Sequence, residues 1–278
     1  MKAAQARVLL TGATGGIGHA AALSLAGAGA AVLLAGRSPG RLAAQARRLQ
    51  QQVPGVQVQW QDADLQDPRS IAALAAAGQA FGCNVLVHAA GVPQFGRLDD
   101  CDAATMARVL GTNLLAPMAL TQALLEHLRS QPRAQVICVG SALGAIGLPG
   151  YSVYCASKFG LRGFAQALRR ELADTGIRIQ YLGPRSTKTA FNGADVAAYN
   201  RATGTAMDPP ARVGQALLEL LETEADERFL GFPERIAARI NGLVPGALDG
   251  AFGRHRRSLP APPASHVTCM DEEMKNAH

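Results

Sequence analysis

A tyrosine and a lysine four residues apart, Tyr154 and Lys158 in "YCASK", are well suited to acid–base chemistry. Residues at this spacing share one face of a helix, with about 6 Å between their Cβ atoms, so both polar groups would reach the same space. A cation beside a phenol favours the ionised form, which predicts a pKa of Tyr154 below its usual value of about 10. Such a phenol can give a proton to a carbonyl oxygen or accept one from an alcohol.

A second tyrosine, Tyr151, precedes the same lysine by seven residues, which is about 10.5 Å along a helix axis. Because this distance is too long for strong coupling, we assign the catalytic role to Tyr154 and expect Tyr151 to line a substrate pocket. Ser141, in "GSALG" after a predicted strand, could hydrogen-bond and polarise the substrate oxygen. Serine beside glycine is also common in turns, so this assignment depends on the tyrosine and lysine downstream.

The glycine-rich stretch "TGATGGIG", residues 11–18, follows a predicted strand and begins a predicted helix. Glycines there let the backbone turn sharply and approach a pyrophosphate, which the helix N–H groups would face. An ordinary glycine-rich turn has the same composition, but this order of strand, glycines and helix favours a dinucleotide site. The residues expected to contact the cofactor here are Gly12, Thr14, Gly15, Gly16, Ile17 and Gly18.

The second predicted strand ends at Arg37 and Ser38, with Arg41 one helical turn further along. An acid at this point would bind the ribose hydroxyls of NAD, whereas arginine can bind a 2′-phosphate through charge-assisted hydrogen bonds. We therefore expect NADP(H), with Arg37 and Ser38 at the cofactor. The alternative is that Arg37 and Arg41 only solvate the start of a helix.

Seven short apolar runs alternate with stretches whose apolar residues recur every three or four positions. This alternation predicts an α/β fold: a Rossmann-like, doubly wound parallel sheet of about seven strands with helices on both faces. The predicted strands are 7–11, 31–36, 56–60, 84–88, 134–140, 177–182 and 228–232.

Five elements in order resemble the short-chain dehydrogenase/reductase family over about residues 5–232. They are the turn at 11–18, Asp64, the A-A-G at 89–91, Asn113, and Ser141 followed by Y-x-x-x-K at 154–158. The family implies a Rossmann-like fold and NAD(P)-dependent oxidation of alcohols or reduction of carbonyls. It also implies a homodimer or homotetramer, formed partly by the helices that contain Asn113 and Tyr154.

The resemblance also implies roles for single residues. Asn113 would support a water chain that carries protons past Lys158; it could also bond a kinked helix, and the two roles are compatible. Asp64 would bind the adenine amino group and Leu65 would pack beside the ring, although an aspartate here could instead cap a helix. Further cofactor contacts implied are Ala90, Gly91, Pro184 and Thr189, together with Tyr154 and Lys158.

Two positions depart from the family pattern. His88 and Ala89 stand where the family usually has asparagines, and we expect His88 to be buried with backbone partners. Arg185 replaces a glycine; it would meet an acidic substrate group or the cofactor phosphates, or point outward from the surface.

The chain divides into a catalytic domain at 1–232, an amphipathic extension at 233–259 and a disordered tail at 260–278. The domain includes a lid at about 186–208, whose apolar residues suggest a partly apolar substrate. In the extension, residues 234–257 carry five arginines and two acids beside an apolar stripe. This pattern fits peripheral membrane contact, or packing against the domain or a second subunit.

The net charge of +6 makes an anionic partner plausible, but the basic residues are scattered without a nucleic-acid recognition motif, so nucleic acid is not expected. Five widely spaced cysteines predict reduced thiols in a cytoplasmic protein, with no metal site. The sequence contains no run of about 18 apolar residues, so a membrane-spanning helix is not expected.

These patterns together predict an NADPH-dependent carbonyl reductase acting on a medium-sized apolar ketone. A 3-oxoacyl thioester on an acidic carrier would also suit the basic surface. Two alternatives stay open: an alcohol or steroid dehydrogenase that works oxidatively, and a non-catalytic NADP-sensing protein that has kept the fold.

Overall fold

Seven parallel strands form a single sheet in the order β3-β2-β1-β4-β5-β6-β7, which confirms the predicted fold class. The structure is a computed structural model that describes residues 1–232 and 234–260; most of the predicted tail therefore lies outside the described residues. The strands are β1 Arg7–Thr11, β2 Ala31–Gly36, β3 Val58–Asp62, β4 Val85–His88, β5 Ala134–Val139, β6 Ile177–Gly183 and β7 Glu227–Phe229.

Ten α-helices surround this sheet in the described ranges. They are α1 Gly16–Gly27, α2 Pro39–Gln52, α3 Pro68–Phe81, α4 Ala103–Leu110, α5 Ala116–Arg129, α6 Ser152–Glu171, α7 Ala194–Thr203, α8 Pro210–Thr223, α9 Glu234–Leu243 and α10 Gly253–Arg257. A π-helical turn, Gly111–Leu115, joins α4 to α5. The 3₁₀ helices are Ala3–Gln5, Leu98–Asp100, Ala142–Gly144 and Pro245–Phe252.

The helices cover both faces of the sheet. On one face, α1, α2 and α8 pack around Leu10, Leu34 and Leu217. On the other face, α3, α5 and α6 pack around Leu86 and further leucines. Because strands in the centre are buried on both faces, their apolar residues run continuously rather than alternating. No helix in residues 1–232 and 234–260 is long and apolar enough to cross a membrane.

Some boundaries differ from the predicted ones. β3 extends to Asp62 because its backbone pairs in register with β2 as far as Gly36. β7 ends at Phe229, three residues earlier than predicted, and Gly231 then turns the chain with a φ of 95°. In the extension, α9 ends at Leu243 and a 3₁₀ helix follows.

Candidate active site

A cavity of about 740 Å³ lies at the carboxyl ends of the strands, where open α/β sheets bind ligands. Its wall joins the glycine turn to the start of α6, the lid and the C-terminal extension. Nearly all of the residues predicted to bind the cofactor line it. They are Gly12, Thr14, Gly15, Gly16, Ile17, Gly18, Arg37, Asp64, Leu65, Ala90, Gly91, Tyr154, Lys158, Pro184 and Thr189.

The glycine turn has the shape that a pyrophosphate requires. Gly12 has a φ of +65°, and a Cβ there would lie 2.6 Å from the backbone of Ala90, so only glycine fits. Gly15 precedes α1 and offers no side-chain cap to its first N–H groups. These donors line the cavity and need an acceptor, which the phosphates of a dinucleotide supply.

Two arginines lie beside this turn. Arg37 and Arg41 both line the cavity, and the Arg41 guanidinium donates to the carbonyl oxygen of Thr14 at 3.0 Å. Ser38 is not among the residues that line the cavity, and its hydroxyl caps α2 by accepting from the Arg41 backbone N–H at 3.4 Å; its cofactor role stays a prediction. Asp64 lines the cavity, and its carboxylate accepts from the N–H of Gln66.

Helix α6 directs the tyrosine and the lysine into the buried end of the cavity. Tyr154 is 9% exposed and Lys158 is 4% exposed. The Lys158 ammonium donates to the carbonyl oxygen of Val139 at 3.3 Å and lies 5.7 Å from the centroid of the Tyr154 ring. Tyr151 precedes the first residue of α6, so the helical spacing assumed for it does not apply. Its ring lines the cavity, 6.2 Å from that of Tyr154.

The prediction that the pKa of Tyr154 is lowered is wrong for the protein without a bound cofactor or substrate. Burial raises the pKa of Tyr154 above its usual value, and the Ser141 hydroxyl only partly opposes this rise. Burial also lowers the pKa of Lys158 to about 8. Both shifts have the same cause, because a low-dielectric site disfavours the charged form of either group. At neutral pH Tyr154 therefore holds its proton.

Ser141 lines the cavity at the end of β5, where Tyr181 fixes its backbone. The Tyr181 hydroxyl accepts from the Ser141 N–H at 3.0 Å and donates to the Ser141 carbonyl oxygen at 2.9 Å. The Ser141 side chain accepts from the N–H of Leu143 at 3.1 Å. Sequence reasoning missed Tyr181, although a buried tyrosine needs a hydrogen-bond partner for its hydroxyl.

Asn113 lies on the π-helical turn and does not line the cavity. Its side chain accepts from the N–H of Val92 at 2.8 Å and donates to the carbonyl oxygen of Val92 and the hydroxyl of Ser157. It thereby joins the loop after β4 to helix α6 beneath the reactive pair. Its role in a proton relay stays a prediction.

His88 is buried, but its partner is a side chain and not the predicted backbone. Its Nε2 shares a 2.8 Å hydrogen bond with the Thr121 hydroxyl, and burial lowers the pKa of His88 to about 3, so the ring is neutral. Thr11 connects the neighbouring strand to the residues beside His88 and Ala89, the two positions where the family usually has asparagines. Its hydroxyl accepts from the N–H groups of Ala89 and Ala90 at 3.1 and 3.2 Å.

Arg185 lines the cavity, so its contact with a substrate or with the cofactor stays a prediction, whereas its side chain does not point outward from the surface. It forms an ion pair with Asp208 at 2.8 Å and a longer one with Glu234 at 3.6 Å. Asp208 also pairs with Arg212, and its backbone bonds Ser186 and Lys188 at the start of the lid. The Asp208 carboxylate thus joins both ends of the lid, and Arg185 connects them to the first residue of α9.

The lid and the extension close the cavity together. Tyr199 in α7 donates to the Pro149 carbonyl oxygen at 3.2 Å and shares a 2.8 Å hydrogen bond with His255 Nδ1 of α10. The extension supplies lining residues that sequence reasoning missed, because its position over the cavity is a tertiary property. They are Glu234, Ala237, Leu248, Ala251, Phe252 and His255.

Comparison with known proteins agrees with this geometry. A family model described as short chain dehydrogenase matches residues 6–200. The protein "Dehydrogenase/reductase SDR family member 7B" of Bos taurus is 32% identical over 252 residues, which cover 86% of this chain and 78% of the relative. The cavity and its reactive residues are those of an NAD(P)-dependent oxidoreductase. The chain belongs to the short-chain dehydrogenase/reductase family.

Solved structures share the fold over most of the chain. A short-chain dehydrogenase from Sphingobium yanoikuyae in complex with NADPH is 28% identical, with a TM-score of 0.76 over 92% of this chain and 98% of that chain. A family member from Burkholderia phymatum in complex with NAD is 22% identical, with a TM-score of 0.79 over 89% of this chain and 96% of that one. The second likeness concerns the fold alone.

Proposed function

We propose that the protein is an NADPH-dependent carbonyl reductase that transfers hydride to a ketone. The observation that carries the proposal is the single cavity that joins the glycine turn and Arg37 to Ser141 and Tyr154. The alternative of a nucleotide sensor gives no reason to bury a phenol and an amine together beside the cofactor site. An oxidative dehydrogenase would use the same residues in reverse, and the cellular ratio of oxidised to reduced cofactor sets the direction.

The residues of the glycine turn and Arg37 would hold NADPH, which when bound would supply the hydride for the carbonyl carbon. The Ser141 hydroxyl donates a hydrogen bond to the carbonyl oxygen and orients it. Tyr154 then transfers its phenolic proton to that oxygen, which yields the alcohol and leaves a phenolate. The Lys158 ammonium stabilises the phenolate, and solvent returns the proton. The raised pKa of Tyr154 suits this direction, because the phenol keeps its proton until the carbonyl accepts it.

The preference for NADPH is supported by Arg37 and Arg41 beside the turn, where a 2′-phosphate would be neutralised. The NADPH complex of the Sphingobium yanoikuyae relative supports the same preference. The Arg37→Asp variant should bind NADPH at least about tenfold more weakly and bind NADH no worse than the wild type does. Arg47→Asp, an equal charge change on the exposed side of α2, is the control. Equal NADPH affinity in wild type and Arg37→Asp would refute the preference.

The substrate is proposed to be a medium-sized apolar ketone, and a 3-oxoacyl thioester on an acidic carrier is a second candidate. Support comes from the apolar residues at the substrate end of the cavity, which include Ile146, Leu148, Phe191, Val196 and Phe252. A panel of ketones and acyl thioesters, followed by NADPH absorbance, would identify the class.

The decisive variant is Tyr154→Phe, which removes only the phenolic oxygen. We expect carbonyl-dependent NADPH oxidation to fall by about 10²–10⁴-fold or more while NADPH binding, measured by fluorescence, is retained. Tyr151→Phe, the neighbouring tyrosine, should keep turnover within about tenfold. Retained turnover in Tyr154→Phe would refute the assignment. Failure of the wild type to reduce any carbonyl in the panel would favour the nucleotide-sensing alternative.

A homodimer or homotetramer is also proposed. Support comes from large apolar side chains left exposed on or beside helices α5 and α6: Leu115, Met118 and Phe159. Light scattering of the purified protein would measure the stoichiometry, and a monomer at micromolar concentration would contradict the proposal.

A further inference from the structure

Helix α9 packs on the domain through its small and polar residues. Ala238 is 3% exposed and packs on Ile146, and the Asn241 side chain donates to the carbonyl oxygen of Ala145 at 2.9 Å. Glu234, at the first turn, pairs with Arg185. None of these contacts involves the large apolar side chains of the helix.

Those large side chains lie on the outer side. Ile236, Ile240 and Leu243 are 44%, 41% and 83% exposed, and they recur at the spacing of one helical face. Val244 and Phe232, just outside the two ends of the helix, are 58% and 71% exposed. We call these five residues the α9 face. A surface helix normally buries its apolar side, so α9 has the opposite orientation to the usual one.

The charges around the α9 face are mostly positive. Arg235 and Arg239 are exposed on α9 itself and are the residues directly before Ile236 and Ile240. Of the two acids in residues 234–257, Glu234 is already paired with Arg185. An anionic partner with an apolar interior would therefore match both the charge and the exposed side chains.

The α9 face also meets the cavity. Phe232 belongs to the face and lines the cavity, together with Ala237 and Phe252 of the extension. An apolar molecule lying against the face would thus be in contact with the cavity wall.

We propose that the α9 face binds the surface of an anionic lipid bilayer, so that the apolar ketone of the proposed function enters the cavity from the lipid. The entry of the ketone from the lipid rests on the proposed function; the binding of the α9 face to the bilayer does not. A bilayer suits the face better than a second copy of the chain, because a twofold pairing would bring the arginines of both copies together. Anionic headgroups would instead neutralise them, while the isoleucines and leucine enter the acyl boundary.

The test is sedimentation of the full-length protein with vesicles of phosphatidylcholine containing phosphatidylserine. Wild type should pellet with these vesicles, and less with pure phosphatidylcholine or at high salt. The triple variant Ile236→Gln/Ile240→Gln/Leu243→Gln should partition about tenfold more weakly, as should Arg235→Gln/Arg239→Gln. Arg47→Gln/Arg48→Gln, which removes two exposed arginines from α2, is the matched control and should pellet like wild type.

Equal pelleting of wild type and the triple variant, or no pelleting of wild type, would overturn the proposal. A triple variant that changes the oligomeric state in light scattering, without vesicle binding by wild type, would assign the face to a second copy instead. Turnover of a water-soluble ketone should be unchanged in the triple variant, because its three residues do not line the cavity. Loss of vesicle binding with normal turnover would thus separate this inference from the proposed function.

Discussion

Helices α6 and α9 depart from ordinary burial in opposite directions. Helix α6 buries a lysine, a tyrosine and a serine: Lys158 is 4% exposed, Tyr154 is 9% exposed and Ser157 is fully buried. Helix α9 buries little more than Ala238 and exposes Ile236, Ile240 and Leu243. Polar groups are usually outside and large apolar groups inside, so each helix adopts an arrangement that does not favour the isolated domain.

The comparison indicates where the molecule does more than fold. Burying Lys158 costs stability, but it puts a cation next to the Tyr154 phenol in a buried site, where the proposed function requires one. The exposed apolar area of the α9 residues does not contribute to the free energy of folding unless another molecule covers it. Sequences that specify one structure follow the usual rules except at functional positions, and these two helices, which both contribute residues to the cavity lining, contain such exceptions.

After Tyr154→Phe, the largest effect is expected from Lys158→Met, which keeps the length of the side chain and removes the charge. Turnover should fall by about 10²-fold or more, because the phenolate loses its cation. The free energy of unfolding should rise by about 3 kcal/mol, because burial, which lowers the lysine pKa to about 8, disfavours the charged form. Ketone-reduction kinetics and urea unfolding at pH 7 measure the two effects.

The sign of the stability effect can be checked by pH. The folded pKa of Lys158 lies below the usual 10.5, so between pH 8 and 10.5 the unfolded chain holds the proton that the folded protein has lost. Wild-type stability should gain a contribution as pH rises through this window, and the Met variant should lack it. A variant less stable than wild type at pH 7 would show that the ammonium stabilises the fold.

The asparagines that attach the two helices to the domain give the next comparison. Asn113 is fully buried and bonds Val92 twice and Ser157 once, whereas Asn241 is half-buried and donates once to Ala145. Asn113→Ala should lower the free energy of unfolding by about 3 kcal/mol, because it leaves buried backbone groups unpaired. Asn241→Ala should cost about 1 kcal/mol. Equal losses in chemical denaturation would contradict the difference in burial.

A pH profile provides a third test of the α6 arrangement. Because the pKa of Lys158 is about 8, kcat/KM for ketone reduction should be flat below about pH 7.5. It should fall as the pH rises above 8, by up to tenfold per pH unit, as the lysine loses its charge. A profile that stays flat to pH 9.5 would mean that the ammonium does not support proton transfer.

The smallest effect is expected on α9. Leu243→Gln should change the free energy of unfolding by no more than about 0.5 kcal/mol, because the side chain is 83% exposed. Leu217→Gln in α8, where the leucine is fully buried, is the matched control and should cost several kcal/mol. A large loss in Leu243→Gln would show that the residue packs within the chain and is not part of a free surface.

Local sequence signals predicted the fold and part of the site. The bounds of β1 and β2 are confirmed, because each strand contains a short apolar run that is buried in the sheet. Tyr154 and Lys158 lie close together, as their spacing on one helix requires. The division of the chain into domain, lid and extension stays a prediction.

What the sequence did not predict depends on contacts between distant residues. Tyr181 meets Ser141, and His88 meets Thr121, through turns of the chain that no local spacing encodes. The direction of the Tyr154 pKa shift was wrong because the neighbouring cation can be inferred from spacing, whereas the depth of burial cannot. The capping role of Ser38 on α2 was also not predicted, since helix capping and phosphate binding use the same residue types.

The Asp208 carboxylate pairs with Arg185 before the lid and with Arg212 after it. The choice of substrate by the lid can therefore be altered separately from the attachment of the lid to the domain. The chain between these anchors can differ in length or composition without altering how it leaves and re-enters the scaffold. The proposed hydride chemistry uses residues at the ends of the strands and on α6, so a transplanted lid that keeps Thr189, a predicted cofactor contact, should change which molecules are accepted and leave the reaction intact. Because Asp208 pairs with Arg185 and Arg212, the segment between them is a natural unit for exchange between relatives that act on different compounds.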